Sequence, residues 1–147
     1  MLIGIGCDPN ASELKEALAS HARGLGHEVR DFGSESPLYP LTAIDVAESV
    51  ARGDVDRGVV LCGTGIGVSI AANKVRGAYC ALLTDAYQAE RAQMSNSANM
   101  IAIGAQITGI ESAKRLLSDY LAVTYEPSER SAPKLAELHR YEDTGHL

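Results

Sequence analysis

Short apolar runs alternate along the whole chain with stretches whose apolar positions recur every three or four residues. The first are predicted strands and the second predicted helices. Leu2-Ile3-Gly4-Ile5-Gly6-Cys7 is the first strand, ending at Asp8. Asn10 or Ser12 is the expected cap of a helix that buries Leu14, Ala17, Leu18 and Ala22 and stops at Gly24 and Gly26. His27 to Phe32 is a second strand, followed by a loop rich in Ser, Pro and Gly from Gly33 to Pro40. Thr42 is the expected cap of a helix with Ile44, Val46, Ala47 and Val50 inward. Gly58-Val59-Val60-Leu61 is a buried third strand and Ala78 to Leu83 a fourth. Asp85 opens a helix to about Met94, and Ser95 to Asn99 is read as a polar turn. Met100 to Ile103 is the fifth strand, and a helix from Thr108 or Gly109 carries Ala113, Leu116, Leu117 and Leu121. The tail from about Tyr125 is polar, with a short helical pattern in Lys134 to His139. The alternation predicts one α/β domain, 1–147. It is a Rossmann-like three-layer sandwich of about five parallel strands with helices on both faces.

The most informative stretch is Leu61 to Lys74, which carries Cys62-Gly63-Thr64-Gly65-Ile66-Gly67. Cys62 is placed where a strand ends, and the glycines turn the chain into a helix. Ile66, Ile70 and Val75 are taken as that helix's apolar face. Open N–H groups in a first helical turn hold anions, and the positive end of the helix favours a thiolate over a thiol. The stretch is neither a Walker loop nor Gly-x-Gly-x-x-Gly, since the glycines fall at 63, 65 and 67. A tight turn around an inert, buried cysteine leaves the same trace. In doubly wound sheets, ligands sit at the carboxyl ends of strands where the strand order reverses. If strands one and three are neighbours there, Asp8 and Cys62 share a crevice, and Cys7 lies close to Cys62.

Composition narrows the classes. The formal net charge of −6 argues against nucleic acid or an anionic membrane as partner, while leaving room for a small anion. Three cysteines without a Cys-x-x-Cys fit a reducing cytoplasm rather than a disulfide framework. No apolar stretch approaches the length of a membrane span, and no secretory leader is apparent. The expected location is cytoplasmic.

Several stretches together resemble one family. They are the run Cys62 to Lys74, Gly6-x-Asp8, Gly26-His27-Glu28-Val29 before Asp31-Phe32-Gly33, and Asn96-x-Ala98-Asn99 before Ile103-Gly104-Ala105. In order and spacing they resemble the ribose-5-phosphate isomerase B family, which also includes galactose-6-phosphate isomerases. The resemblance implies an aldose–ketose isomerase of a sugar phosphate, working through an enediolate and needing no metal or organic cofactor. It matches Cys62 to the base, Thr64 to the hydroxyl that moves a proton between the sugar oxygens, and the amides of Gly63, Thr64, Gly65, Ile66 and Gly67 to the oxyanion nest. Asp8 and Asn96 match sugar ligands. It also implies a homodimer or homotetramer in which a neighbouring subunit completes the site.

The chain departs from the family pattern at the phosphate and ring-opening positions. Pro9 stands where a phosphate-binding histidine is usual and offers neither a side-chain donor nor an N–H. Ser95 stands at the position of the ring-opening histidine, and Gln106 at that of an arginine. Arg130 matches one C-terminal phosphate-binding arginine, and Lys134 replaces the other with a point charge. The first expectation is ribose 5-phosphate, with Ser95 or water opening the ring and Arg130 and Lys134 on phosphate. The alternatives are another substrate, a tetrose 4-phosphate or hexose 6-phosphate, or a non-catalytic sugar-phosphate-binding paralogue. A tetrose 4-phosphate has its terminal hydroxyl blocked, cannot close a furanose ring, and needs no ring-opening group.

Overall fold

The computed structural model describes residues 1–146. The apolar runs form β1 (Leu2–Cys7), β2 (Glu28–Asp31), β3 (Arg57–Cys62), β4 (Cys80–Leu82) and β5 (Met100–Gly104). They make one five-stranded sheet in the order β2-β1-β3-β5-β4, and every pairing is parallel. The helices are α1 (Ser12–Gly24), α2 (Tyr39–Ala51), α3 (Ile66–Ala72), α4 (Ala86–Asn96), α5 (Ile110–Leu121) and α6 (Ala132–Thr144).

Strand alternation divides the core between two faces. Ile3, Ile5, Val59, Leu61, Ile101 and Ile103 share one cluster with Leu14, Leu18, Leu116 and Leu117 of α1 and α5. Val60, Cys62, Met100 and Ala102 share the other with Val46 and Val50 of α2 and Val68 and Ala72 of α3. The second face is built for close approach. A Cβ on Gly6 would lie 2.5 Å from the Thr42 methyl, and one on Gly58 would lie 2.9 Å from Met100.

Several local expectations are corrected. Neither Asn10 nor Ser12 caps α1, which begins after Ala11 without a side-chain cap; Asp8 instead caps the 3-10 turn Pro9–Ala11 ahead of it, its Oδ1 accepting the Asn10 N–H at 3.0 Å. Thr42 is buried inside α2, which begins at Tyr39 with Pro40 in its first turn, where a missing N–H costs little. Ile66 and Ile70 are more than half exposed, and Val68, Ala71 and Ala72 make the buried face of α3. Only small side chains fit where α3 lies close to α2. Ser95 and Asn96 belong to the last turn of α4, which ends at Ser97 in the left-handed region at φ 49°. Cys7 faces the α1/α5 side of the sheet and Cys62 the α2/α3 side, so adjacency of β1 and β3 does not pair them. Burial pushes the Cys7 thiol up to about 11 and the Cys80 thiol up to about 12, as suits core residues.

The tail is tied down mostly by polar contacts, with Leu135 the buried apolar residue of α6. The Arg57 guanidinium donates to the Tyr120 and Val123 carbonyls at 2.7 and 2.6 Å, at the C-terminal end of α5. Gln93 donates to the Ala98 carbonyl and accepts the Tyr125 N–H, tying the tail to α4. The far end of α6 is held by Glu142, which accepts from the Gly77 N–H and the Tyr79 hydroxyl. Burial and that carboxylate push the Tyr79 phenol up to about 12.

Candidate active site

β1 leads outward to β2 on one side, while β3 and everything after it lies on the other. The order therefore reverses between β1 and β3, where a parallel sheet opens a crevice at its carboxyl edge. Asp8 and Cys62 meet there. The Asp8 N–H donates to the Leu61 carbonyl at 3.1 Å, and both side chains are over nine-tenths buried.

Cys62 ends β3, and its Sγ accepts the Gly65 N–H at 3.1 Å. Gly65 makes that contact by taking φ +77°, a conformation disfavoured for side chains with a Cβ. The neighbouring Ile66 N–H turns to Thr64 Oγ1 at 3.3 Å. Two of the five amides expected to form an open nest are thus aimed at the cysteine and threonine side chains. Gly67 and Val68 follow in the first turn of α3, whose leading N–H groups have no acceptor within the helix.

The turn is clamped from beneath. A Cβ on Gly104 at the end of β5 would sit 2.5 to 2.8 Å from the Thr64 carbonyl carbon, oxygen and Cα. Gln106 donates its N–H to the Gly63 carbonyl at 2.9 Å, and its amide group packs on Gly63. Tyr39 closes another side, its ring where a Cβ on Gly67 would be. Tyr39 thus stands at the rim of this crevice. Pro9 is exposed beside it, with no donor to offer.

Ser95, Asn96, Arg130 and Lys134 are gathered elsewhere, around a cavity of about 640 Å³ also lined by Tyr87, Arg91 and Glu126. Asn96 is turned onto its own helix, its Nδ2 donating to the Arg91 carbonyl at 3.0 Å. The cavity runs along α4, and its Ser95–Asn96 end lies toward the opposite edge of the sheet. Asn96 comes just before the start of β5, whereas Cys62 is paired with Gly104 at its end. Strand rise alone separates the two ends of β5 by roughly 13 Å. Cys62 and Asn96 are thus held at opposite ends of β5 within one copy of the chain.

Arg91 and Tyr87 line this cavity too and were not among the candidate site residues. Positions 87, 91 and 95 follow one another at four-residue intervals, which stacks them on one side of α4. Among the described residues, no group of three or more His, Cys, Asp or Glu is placed to hold a metal ion. No helix there is long and apolar enough to cross a membrane.

A family model described as Ribose/Galactose Isomerase matches residues 3–138. The chain is 40% identical over 144 residues to a D-erythrulose-4-phosphate isomerase of Pectobacterium atrosepticum, covering 95% of this chain and 94% of the relative. It is 44% identical over 124 residues to a ribose-5-P isomerase B of Listeria innocua, covering 82% and 84%. The structure of ribose-5-phosphate isomerase B from Clostridium thermocellum superposes with a TM-score of 0.93 at 36% identity, covering 99% of this chain and all of that one.

Proposed function

The chain belongs to the ribose/galactose isomerase family and is a sugar-phosphate isomerase, and we propose that its substrate is a tetrose 4-phosphate, interconverted between aldose and ketose through an enediolate. In this reading the Cys62 thiolate takes the proton from the carbon next to the carbonyl. The electron pair moves onto the carbonyl oxygen, where N–H groups of the Gly63–Gly67 turn stabilise it. The Thr64 hydroxyl passes a proton from one sugar oxygen to the other. Cys62, its S–H proton exchanging with solvent meanwhile, then delivers a proton to the adjacent carbon, so the sugar's composition is unchanged. The Gly65 N–H on Sγ supports this role for Cys62, because a donated hydrogen bond stabilises a charged sulfur more than a neutral one.

The observation that carries the choice of substrate is Ser95. None of the four histidines lines the cavity that holds it, so no imidazole stands ready there to open a sugar ring. A tetrose 4-phosphate is already open. The Pectobacterium relative, matched nearly end to end, carries a name that fits this reading. Ribose 5-phosphate, the first expectation from sequence, is the second reading and is supported by the Listeria relative's name. Side-by-side turnover of erythrose 4-phosphate and ribose 5-phosphate separates the two. The tetrose reading expects kcat/KM higher for erythrose 4-phosphate by about 100-fold or more, the scale of a missing acid–base group. Equal or reversed preference would contradict it. Ser95→His is expected to raise ribose 5-phosphate turnover about tenfold or more while altering tetrose turnover less.

The separation of the two groups supports a homo-oligomer with shared sites, Asp8, Cys62 and Thr64 from one copy facing Ser95, Asn96, Arg130 and Lys134 from another. Around the Cys62 turn the surface is apolar, with Ile66, Ile70 and Leu82 all exposed. Mixing two inactive variants, Cys62→Ala and Arg130→Gln, should then restore activity toward about a quarter of wild type if the assembly is a dimer that exchanges subunits freely. Persistent inactivity despite demonstrated exchange would contradict shared sites.

A further inference from the structure

We propose that Arg91 is a third phosphate ligand, acting with Arg130 and Lys134 in the cavity along α4. This rests on the isomerase reading for the identity of the ligand, though not for its charge. The three cationic side chains line one cavity, together with the hydroxyl-bearing Thr124, Ser128 and Ser131. Gathering them is unfavourable unless an anion occupies the space between them, and the one acidic residue lining it is Glu126.

Arg91 is prepared for a ligand rather than spent on the protein. Its Nε is buried and has no hydrogen-bond partner. Its ion-pair contact is with the adjacent Glu90 at 3.4 Å, between side chains 41% and 44% exposed, and such a pair binds weakly. The guanidinium lies over the Tyr87 ring, Cζ 5.2 Å from the centroid, which fixes its plane. Tyr87 and Ser95 flank it one turn away on the same side of α4. A phosphate dianion presents several acceptor oxygens. Lys134 meets them as a point charge, and Pro9, at the rim of the crevice, has no donor. A fixed planar fork supplies what these two lack.

The test uses inorganic phosphate, titrated by calorimetry into the assembled protein at constant ionic strength. Wild type should bind, and Arg91→Gln should weaken binding about 10- to 100-fold, with Arg91→Lys in between. The melting temperature in phosphate-free buffer should be the same for all three. In turnover, Arg91→Gln should raise KM for the sugar phosphate more than it lowers kcat. If Arg91→Gln unfolds, Arg91→Lys decides, and phosphate binding equal to wild type in that variant would overturn the proposal. So would equal phosphate binding in a folded Arg91→Gln, or no phosphate binding by wild type. A wild type that binds phosphate through Arg91 but isomerises no sugar phosphate would refute the isomerase reading and support the anion site.

Discussion

Cys62→Ala is expected to lower kcat for the sugar phosphate by about 1,000-fold or more, the upper part of what a positioned acid–base group contributes. The side chain is small and sits at the edge of the α2/α3 core, so its loss should cost little fold stability. Substrate binding should persist, because Asp8, the amides of the turn and the cationic cavity are untouched. Cys62→Ser should fail similarly, since a hydroxyl keeps the shape but not the basicity. Cys7→Ala is the internal comparison. That thiol is pushed up to about 11 and faces the other side of the sheet, so its removal should leave turnover near wild type. Parallel rate assays on the three variants, with melting temperatures as a fold control, check this.

Gly104→Ala is expected to be the most damaging single methyl group near the site. Its Cβ would meet three backbone atoms of Thr64 at 2.5 to 2.8 Å, and no rotamer change relieves a clash with backbone. The turn itself has to move. Overpacking of this kind costs about 1–3 kcal/mol of stability. The larger effect is on rate, because a misplacement of about 1 Å at reacting groups can cost 100-fold. Gly109→Ala, with nothing within 4 Å of its Cβ, is the neutral comparison. Equal kcat in the two variants would show that the packing of β5 under the turn does not set the geometry of Cys62 and Thr64.

The Cys62 turn was legible in the sequence because its determinants are local. A strand, closely spaced glycines and a helix within a few residues leave few geometries, and the Gly65 φ is one that glycine alone adopts readily. Adjacency of β1 and β3 was assumed in placing Asp8 and Cys62 together, and the strand order β2-β1-β3-β5-β4 supplies it. The insertion of β5 between β3 and β4 was not, because β4 is only three residues long and its neighbour is set by pairing rather than pattern.

Ile66 and Ile70 show where periodicity misleads. They have helical spacing, but the buried side of α3 is the small-residue side, and the isoleucines face outward beside the Cys62 turn. A reading that assigns the larger apolar residues to the core takes an exposed apolar surface for a buried one. Asn96 shows the limit of breaker signals. Ser95-Asn96-Ser97 reads as a turn, yet α4 continues through Asn96 because Ser97, not Ser95, takes the left-handed conformation. Arg91 was invisible for a different reason. Its cavity partners Arg130 and Lys134 come from a tail more than thirty residues later, held in place by Arg57, Gln93 and Glu142 through contacts no local pattern announces.

Deuterium exchange tests the enediolate chemistry at Cys62 most directly. Ketose phosphate is incubated in deuterium oxide with wild type or Cys62→Ala, and label at the carbon next to the carbonyl is followed by NMR. Wild type should incorporate solvent deuterium at that carbon as it isomerises. Cys62→Ala should do neither, although it still binds phosphate. Exchange and isomerisation that continue undiminished in Cys62→Ala would contradict the assignment of Cys62 as the base.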